Sequence, residues 1–169
     1  MNRRRERCGQ YLDWIIRPCL VSMAARTDVP ALNSRGAAAL LLGTALIESE
    51  CGEAIVQFGG GPALGVWQME RSTLRDHLRW IAQNKRWSEA LAAVCLPVSS
   101  IEGQLPQNPL LACFLARVHY YRRDPGPMPY AEDYEEQAKR WGRYYQTQSI
   151  RAKMDAYVRK MRDSGHGLV

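Results

Sequence analysis

The run AAALLLGTALI at positions 37–47 constrains this chain more than any other part of it. It is apolar nearly all the way round, so as a helix it has no face to offer water and must lie at the centre of a core. It is too short to span a bilayer, and Gly43 and Thr44 interrupt it. Ser34 is placed to cap its start, and the helix is expected to reach about Cys51. The rest of the chain reads as shorter helices around this one. Tyr11, Leu12, Ile15, Ile16 and Cys19 have helical spacing, with Pro18 expected to bend or end that helix. Glu70 or Ser72 opens a helix to about Gln83, and a short one covers 86–94. Asn108 opens another to about Arg123, with Leu111, Phe114, Leu115 and Val118 on its core face. Tyr134, Ala138, Trp141 and Tyr145 form one aromatic stripe on a helix. Ile150, Met154, Tyr157 and Met161 mark a last amphipathic helix. Segments 27–30, 101–109 and 124–129 are expected to be loops. So is 57–64, where Gly59, Gly60, Gly61 and Pro62 rule out a helix and a short hairpin fits.

At 169 residues the chain is long enough for one domain with a real core. No repeat or low-complexity linker divides it. It reads as a single mainly α domain: an N-terminal helix and loop (1–33), a core carrying the candidate chemistry (34–147), and a C-terminal helix and tail (148–169). A net charge of +6 suits either anionic partners or a solvated face. Arg3, Arg4, Arg5 and Arg7 form a cluster suited to phosphates, hence to non-specific nucleic-acid contact, but no nucleic-acid-binding signature accompanies them. The five cysteines are odd in number and contain no C-x-x-C, so they read as small buried hydrophobes of a reducing compartment. His77, His119 and His166 have no ligand spacing, and neither a metal nor a cofactor is expected. The basic start lacks the apolar stretch and cleavage site of a secretory signal, and no membrane span is expected.

The central helix delivers a carboxylate, Glu48, directly after Ala45, Leu46 and Ile47. Helix C-termini disfavour anions, so a glutamate there in apolar surroundings is a candidate general acid. A solvated glutamate has a pKa of about 4.3 and has lost its proton near neutrality. Burial keeps the proton available for a leaving group. Some seventeen residues on comes Gly65-Val66-Trp67-Gln68-Met69-Glu70. Gly65 would let backbone approach a ligand closely. Gln68 offers donor and acceptor to an amide or to the acid. Trp67 either stacks on a pyranose ring or fills the core. Ser49 either orients the acid or makes a local backbone bond. Glu70 is the candidate second carboxylate.

This order and spacing, from Thr44 to Thr73, resembles the lysozyme-like superfamily of soluble lytic transglycosylases and goose-type lysozymes, whose pattern reads E-S, then G-L-M-Q. The segment GGGPALGVWQME also looks like phage-encoded relatives. So do Arg117-Val118-His119-Tyr120-Tyr121 and Trp141-Gly142-Arg143-Tyr144-Tyr145-Gln146-Thr147. The resemblance implies a lysozyme-like fold of the transglycosylase type and cleavage of the MurNAc–GlcNAc β-1,4 bond of peptidoglycan. Glu48 would be acid and base. Ser49, Gly65, Trp67, Gln68, Tyr120 and Tyr145 would line the glycan site, with Tyr145 in place of the family's cleft tyrosine. It also implies a virion or lysis setting: host cytoplasm before assembly, action in the cell wall, and other tail or ejection proteins as neighbours. Val66-Trp67 in place of Leu-Met, and Gln146 in place of Asn, depart from the pattern. Two alternatives stay open. Glu70 falls on the acidic position proposed to help water in goose-type lysozymes, whereas a transglycosylase needs Glu48 alone. A non-catalytic tail or ejection component with the same fold would also carry these residues.

Overall fold

A computed structural model describes residues 3–55, 63–97, 100–145 and 150–165. The architecture is mainly helical, with a two-stranded antiparallel hairpin as the sheet among the described residues. The chain begins as one helical rod, in which α1 (Arg3–Gln10) passes through a π-helical stretch (Tyr11–Ile16) into α2 (Arg17–Thr27). Pro18 was expected to bend or end this rod. The helix type changes there: a widened π turn falls just before it, with the Arg17 N–H reaching back to the Leu12 carbonyl, and Pro18 lies in the first turn of α2. A π turn absorbs the bond that proline cannot donate, and the helix continues. The arginine-rich start forms its first turns.

The central helix α3 (Arg35–Ser49) is capped by Ser34, whose hydroxyl accepts from the Ala37 N–H at 3.1 Å. Every residue from Gly36 to Leu46 is buried, as an all-round apolar helix requires. Each fully buried leucine contributes about 2 kcal/mol by leaving water. The π stretch, α7 (Pro109–Arg123), α8 (Tyr134–Tyr144) and α9 (Ile150–Ser164) pack around it. Gly43 allows α9 to come close, because a Cβ there would sit 2.0 Å from the Tyr157 hydroxyl, which donates to the Leu40 carbonyl at 3.3 Å.

The hairpin, β1 (Ala63–Leu64) and β2 (Met69–Glu70), pairs Leu64 with Met69 and Ala63 with Glu70. It leads straight into α4 (Arg71–Ala82), followed by α5 (Lys85–Ala92). The loop expected over 101–109 contains a short helix, α6 (Ile101–Gln104), capped by Ser100. Gly59 to Pro62, Gln146, Thr147 and His166 lie outside the described residues. Among the described residues, no helix is long and apolar enough to cross a membrane, and no cluster of His, Cys, Asp or Glu could hold a metal ion.

Candidate active site

α3 ends in a tight left-handed cap. Glu50, Cys51 and Gly52 all have positive φ, at 52°, 53° and 86°. The Glu50 and Cys51 N–H groups turn back to the carbonyls of Leu46 and Ala45. Glu48 precedes this cap and is half-buried. Its Oε1 accepts a hydrogen bond from the Trp141 indole Nε1–H at 2.8 Å. Trp141 is 1% exposed and tilts against Tyr157 at 5.7 Å, so its N–H is a fixed donor. Two tyrosines lie within reach of the Glu48 charge. Burial pushes the phenols of Tyr120 and Tyr145 well above their ordinary range, and Glu48 adds to both shifts. Both therefore stay protonated and remain donors. The Tyr120 hydroxyl meets the Thr44 Oγ1 at 2.7 Å, and the two rings tilt against each other at 5.5 Å.

The turn between the strands is tied down along its length. The Gly65 N–H donates to the Ile55 carbonyl at 2.8 Å. Ser49 Oγ donates to the Val66 carbonyl at 2.6 Å and accepts from the Gly52 N–H at 2.9 Å. The Tyr145 hydroxyl donates to the Trp67 carbonyl at 2.8 Å. The Gln68 amide donates to the carbonyls of Ala54 and Gly65 at 3.0 and 2.8 Å. The last turn of α3, the hairpin and the end of α8 thus meet around Glu48.

This geometry corrects several expected roles. Trp67 is not a sugar platform: it is 1% exposed, donates to the Leu41 carbonyl at 2.9 Å and meets Tyr11 edge-on. Gly65 is required by its φ of +76° and by the Leu105 carbonyl, which a Cβ would meet at 2.7 Å. The close approach there is to the protein's own backbone. Ser49 and Gln68 bind backbone, and Tyr120 is 1% exposed, so these three shape the site from beneath. Glu70 stands apart, exposed at the N-cap of α4 and making no side-chain cap bond. Of the basic cluster, Arg4 pairs with Glu50 at 3.3 Å, and Arg7 pairs with Glu53 and donates to the Glu50 carbonyl. These two are committed inside the chain and do not form an open phosphate patch.

Sequence reasoning missed two features. One is the Trp141 bond to Glu48. The other is a buried relay: Arg122 Nη1 donates to His77 Nδ1 at 2.6 Å, His77 Nε2 lies 3.0 Å from His119 Nδ1, and His119 Nε2 lies 2.7 Å from the Tyr144 carbonyl. Arginine only donates, so His77 carries its proton on Nε2. It donates to His119, and His119 donates to Tyr144. Both rings are therefore neutral. Burial lowers His77 to about 3 and His119 to about 4. The relay fixes the end of α8 next to Tyr145, and the His119 ring meets Tyr145 edge-on at 4.9 Å. A histidine within the largely apolar Leu111–Tyr120 stretch, which also buries Arg117, was the available signal. Comparison with protein-family models, with curated proteins and with solved structures found no match to this chain.

Proposed function

We propose that this chain cleaves the MurNAc–GlcNAc β-1,4 bond of peptidoglycan, with a lysozyme-like fold of the transglycosylase type and Glu48 as general acid. The reading rests on one observation above the others: a half-buried carboxylate at the end of the most buried helix, held at one oxygen by the Trp141 N–H. Cleavage begins when Glu48 protonates the glycosidic oxygen and the bond to the anomeric carbon breaks. In the single-glutamate route, Glu48 then takes the proton of the substrate's own 6-hydroxyl as that oxygen attacks the anomeric carbon, giving a 1,6-anhydro sugar. The Trp141 bond fixes the carboxylate's rotation through both steps, which is the positioning that catalysis of this kind needs. Tyr145 and the hairpin turn hold one wall. The exposed position of Glu70 favours this route over one with an ordered second carboxylate. A phage particle or its lysis machinery, acting at the cell wall, is the setting that the resemblance to phage-encoded relatives supports.

A second reading, a non-catalytic tail or ejection component, draws on the hairpin turn, where Ser49, Gly65, Trp67 and Gln68 all bond to the chain itself. Mass spectrometry of muropeptides released from purified peptidoglycan separates the two. Release of 1,6-anhydro products by the native chain and not by Glu48→Gln supports the transglycosylase. Reducing-end products mean hydrolysis, and no release from a folded native chain means the structural role.

A further inference from the structure

The N-terminal helix carries a buried thiol against the cap of α3. Cys8 is 0% exposed and is the buried residue of α1, while Cys51 is 1% exposed in the left-handed cap two residues beyond Ser49. Their sulfurs lie 3.9 Å apart. α1 is aligned on that cap by independent bonds: Arg4 to the Glu50 carboxylate, Arg7 to the Glu50 carbonyl, and Arg7 to Glu53. Lys160 of α9 also pairs with Glu50. The turns of α1 that lead into Cys8 are therefore tied to residues on both sides of Cys51. A disulfide needs its sulfurs at about 2.0 Å, a move within the reach of side-chain rotation once the two Cβ atoms face each other.

We propose that Cys8 and Cys51 form an intramolecular disulfide by exchange with an external disulfide when the chain enters an oxidising compartment, fastening α1 to the end of the helix that carries Glu48. This goes beyond the glycan reading and does not depend on it. The cysteines, expected from sequence to be inert core residues, are here a poised pair. The contact with the Cys51 sulfur, helped by Arg4 and Arg7, holds Cys8 below the ordinary thiol range. The same contact and burial push Cys51 upward. Cys8 is thus the attacking sulfur. With oxidised glutathione, the Cys8 thiolate attacks one glutathione sulfur, the S–S bond breaks, and one glutathione thiolate leaves. That thiolate takes the Cys51 proton. Cys51 then attacks the Cys8 sulfur of the mixed disulfide and expels the second glutathione. The protein loses two electrons and two protons, and the oxidant leaves as two thiols. Access comes from α1 itself, because it buries one side chain and is otherwise held by partly exposed ion pairs, and such segments open locally.

The test uses the full chain in a glutathione buffer as oxidising as a secretory compartment, followed by alkylation of remaining thiols, intact mass and peptide mapping. The expected result is three alkylated cysteines, a loss of two hydrogens, and a Cys8–Cys51 linked peptide. The melting temperature should rise by about 8–15 °C over the reduced chain, the size expected for a closed loop of this length in a chain of this size. Cys8→Ser and Cys51→Ser should each abolish both the mass loss and the rise, while Cys95→Ser keeps them. Five alkylated cysteines in that buffer would overturn the proposal. So would a linkage through half-exposed Cys95, or a Cys19–Cys113 linkage without Cys8–Cys51.

Discussion

The last turn of α3 and the start of α4 each present a glutamate, and the two are treated differently. Glu48 is half-buried, bonded to a fixed indole N–H, and close enough to two buried phenols to help keep them protonated. Glu70 is exposed, and although its backbone stands at an N-cap (φ −72°, ψ 145°), its side chain makes no cap bond. Both carboxylates sit at helix ends, so the helix end is not what distinguishes them. The difference comes from α7 and the end of α8, which bring Tyr120, Trp141 and Tyr145 to Glu48 and, among the described residues, nothing comparable to Glu70. The environment of an acid is built by elements remote in sequence, and it can be weakened without touching the acid.

The largest effect should come from acid, through the relay that fixes the end of α8. His77 faces Asp76 on its own helix and Arg122, Arg123 and His119 from α7, while His119 faces the Tyr144 carbonyl. Above pH 6.5 both rings are neutral in folded and unfolded chains alike. As pH falls, the unfolded chain takes up protons that the folded chain refuses until about pH 4 for His119 and about pH 3 for His77. Stability therefore falls with pH by about 1.4 kcal/mol per unit per histidine, and by about 6 kcal/mol for the pair at pH 4. Urea midpoints from pH 7 to pH 4 measure this. A flat midpoint across that range would show that the rings are already charged or solvated.

Glu48→Gln removes the proton donor and keeps its shape. At least about a hundredfold loss of glycan cleavage is expected, with a melting temperature within about 2 °C of the native chain. Unchanged turnover would remove Glu48 from the mechanism. Trp141→Phe is milder: it deletes one N–H and leaves the aromatic packing on Tyr157. About tenfold lower kcat at similar KM is expected, because the carboxylate loses its fixed orientation, together with a shift in the pH–rate profile that a packing defect alone would not produce. An unmoved profile would mean that the indole serves only the fold.

What was legible in the sequence follows the same division. The central helix, its Ser34 cap, the aromatic stripe and the position of Glu48 could all be read because each is fixed by local spacing and burial. The roles of Trp67, Gly65 and Gln68 were not legible. A glycine at φ +76° against the Leu105 carbonyl and a glycine under a sugar look identical in a string of letters. A tryptophan donating to Leu41 and one stacking on a ring look equally alike. The π turn just before Pro18 was not legible for a related reason, since it is a property of the bonds around the proline and not of the residue type. The Trp141–Glu48 bond joins residues 93 positions apart, which no local pattern could register.

The smallest effect is the one that decides the reaction type. An exposed glutamate without a cap bond contributes little to the fold, so Glu70→Gln should change stability by less than about 0.5 kcal/mol. A hydrolase of the inverting kind needs its base about 6.5–9.5 Å from the acid with a water ordered between them, and a solvated, unanchored side chain is poorly suited to hold one. Under the single-glutamate route, Glu70→Gln should retain cleavage within about threefold and still release 1,6-anhydro products. A loss approaching that of Glu48→Gln, with reducing-end products from the native chain, would mean that the substrate itself orders Glu70. The contrast between the two helix ends would then describe the free protein and not the catalytic complex.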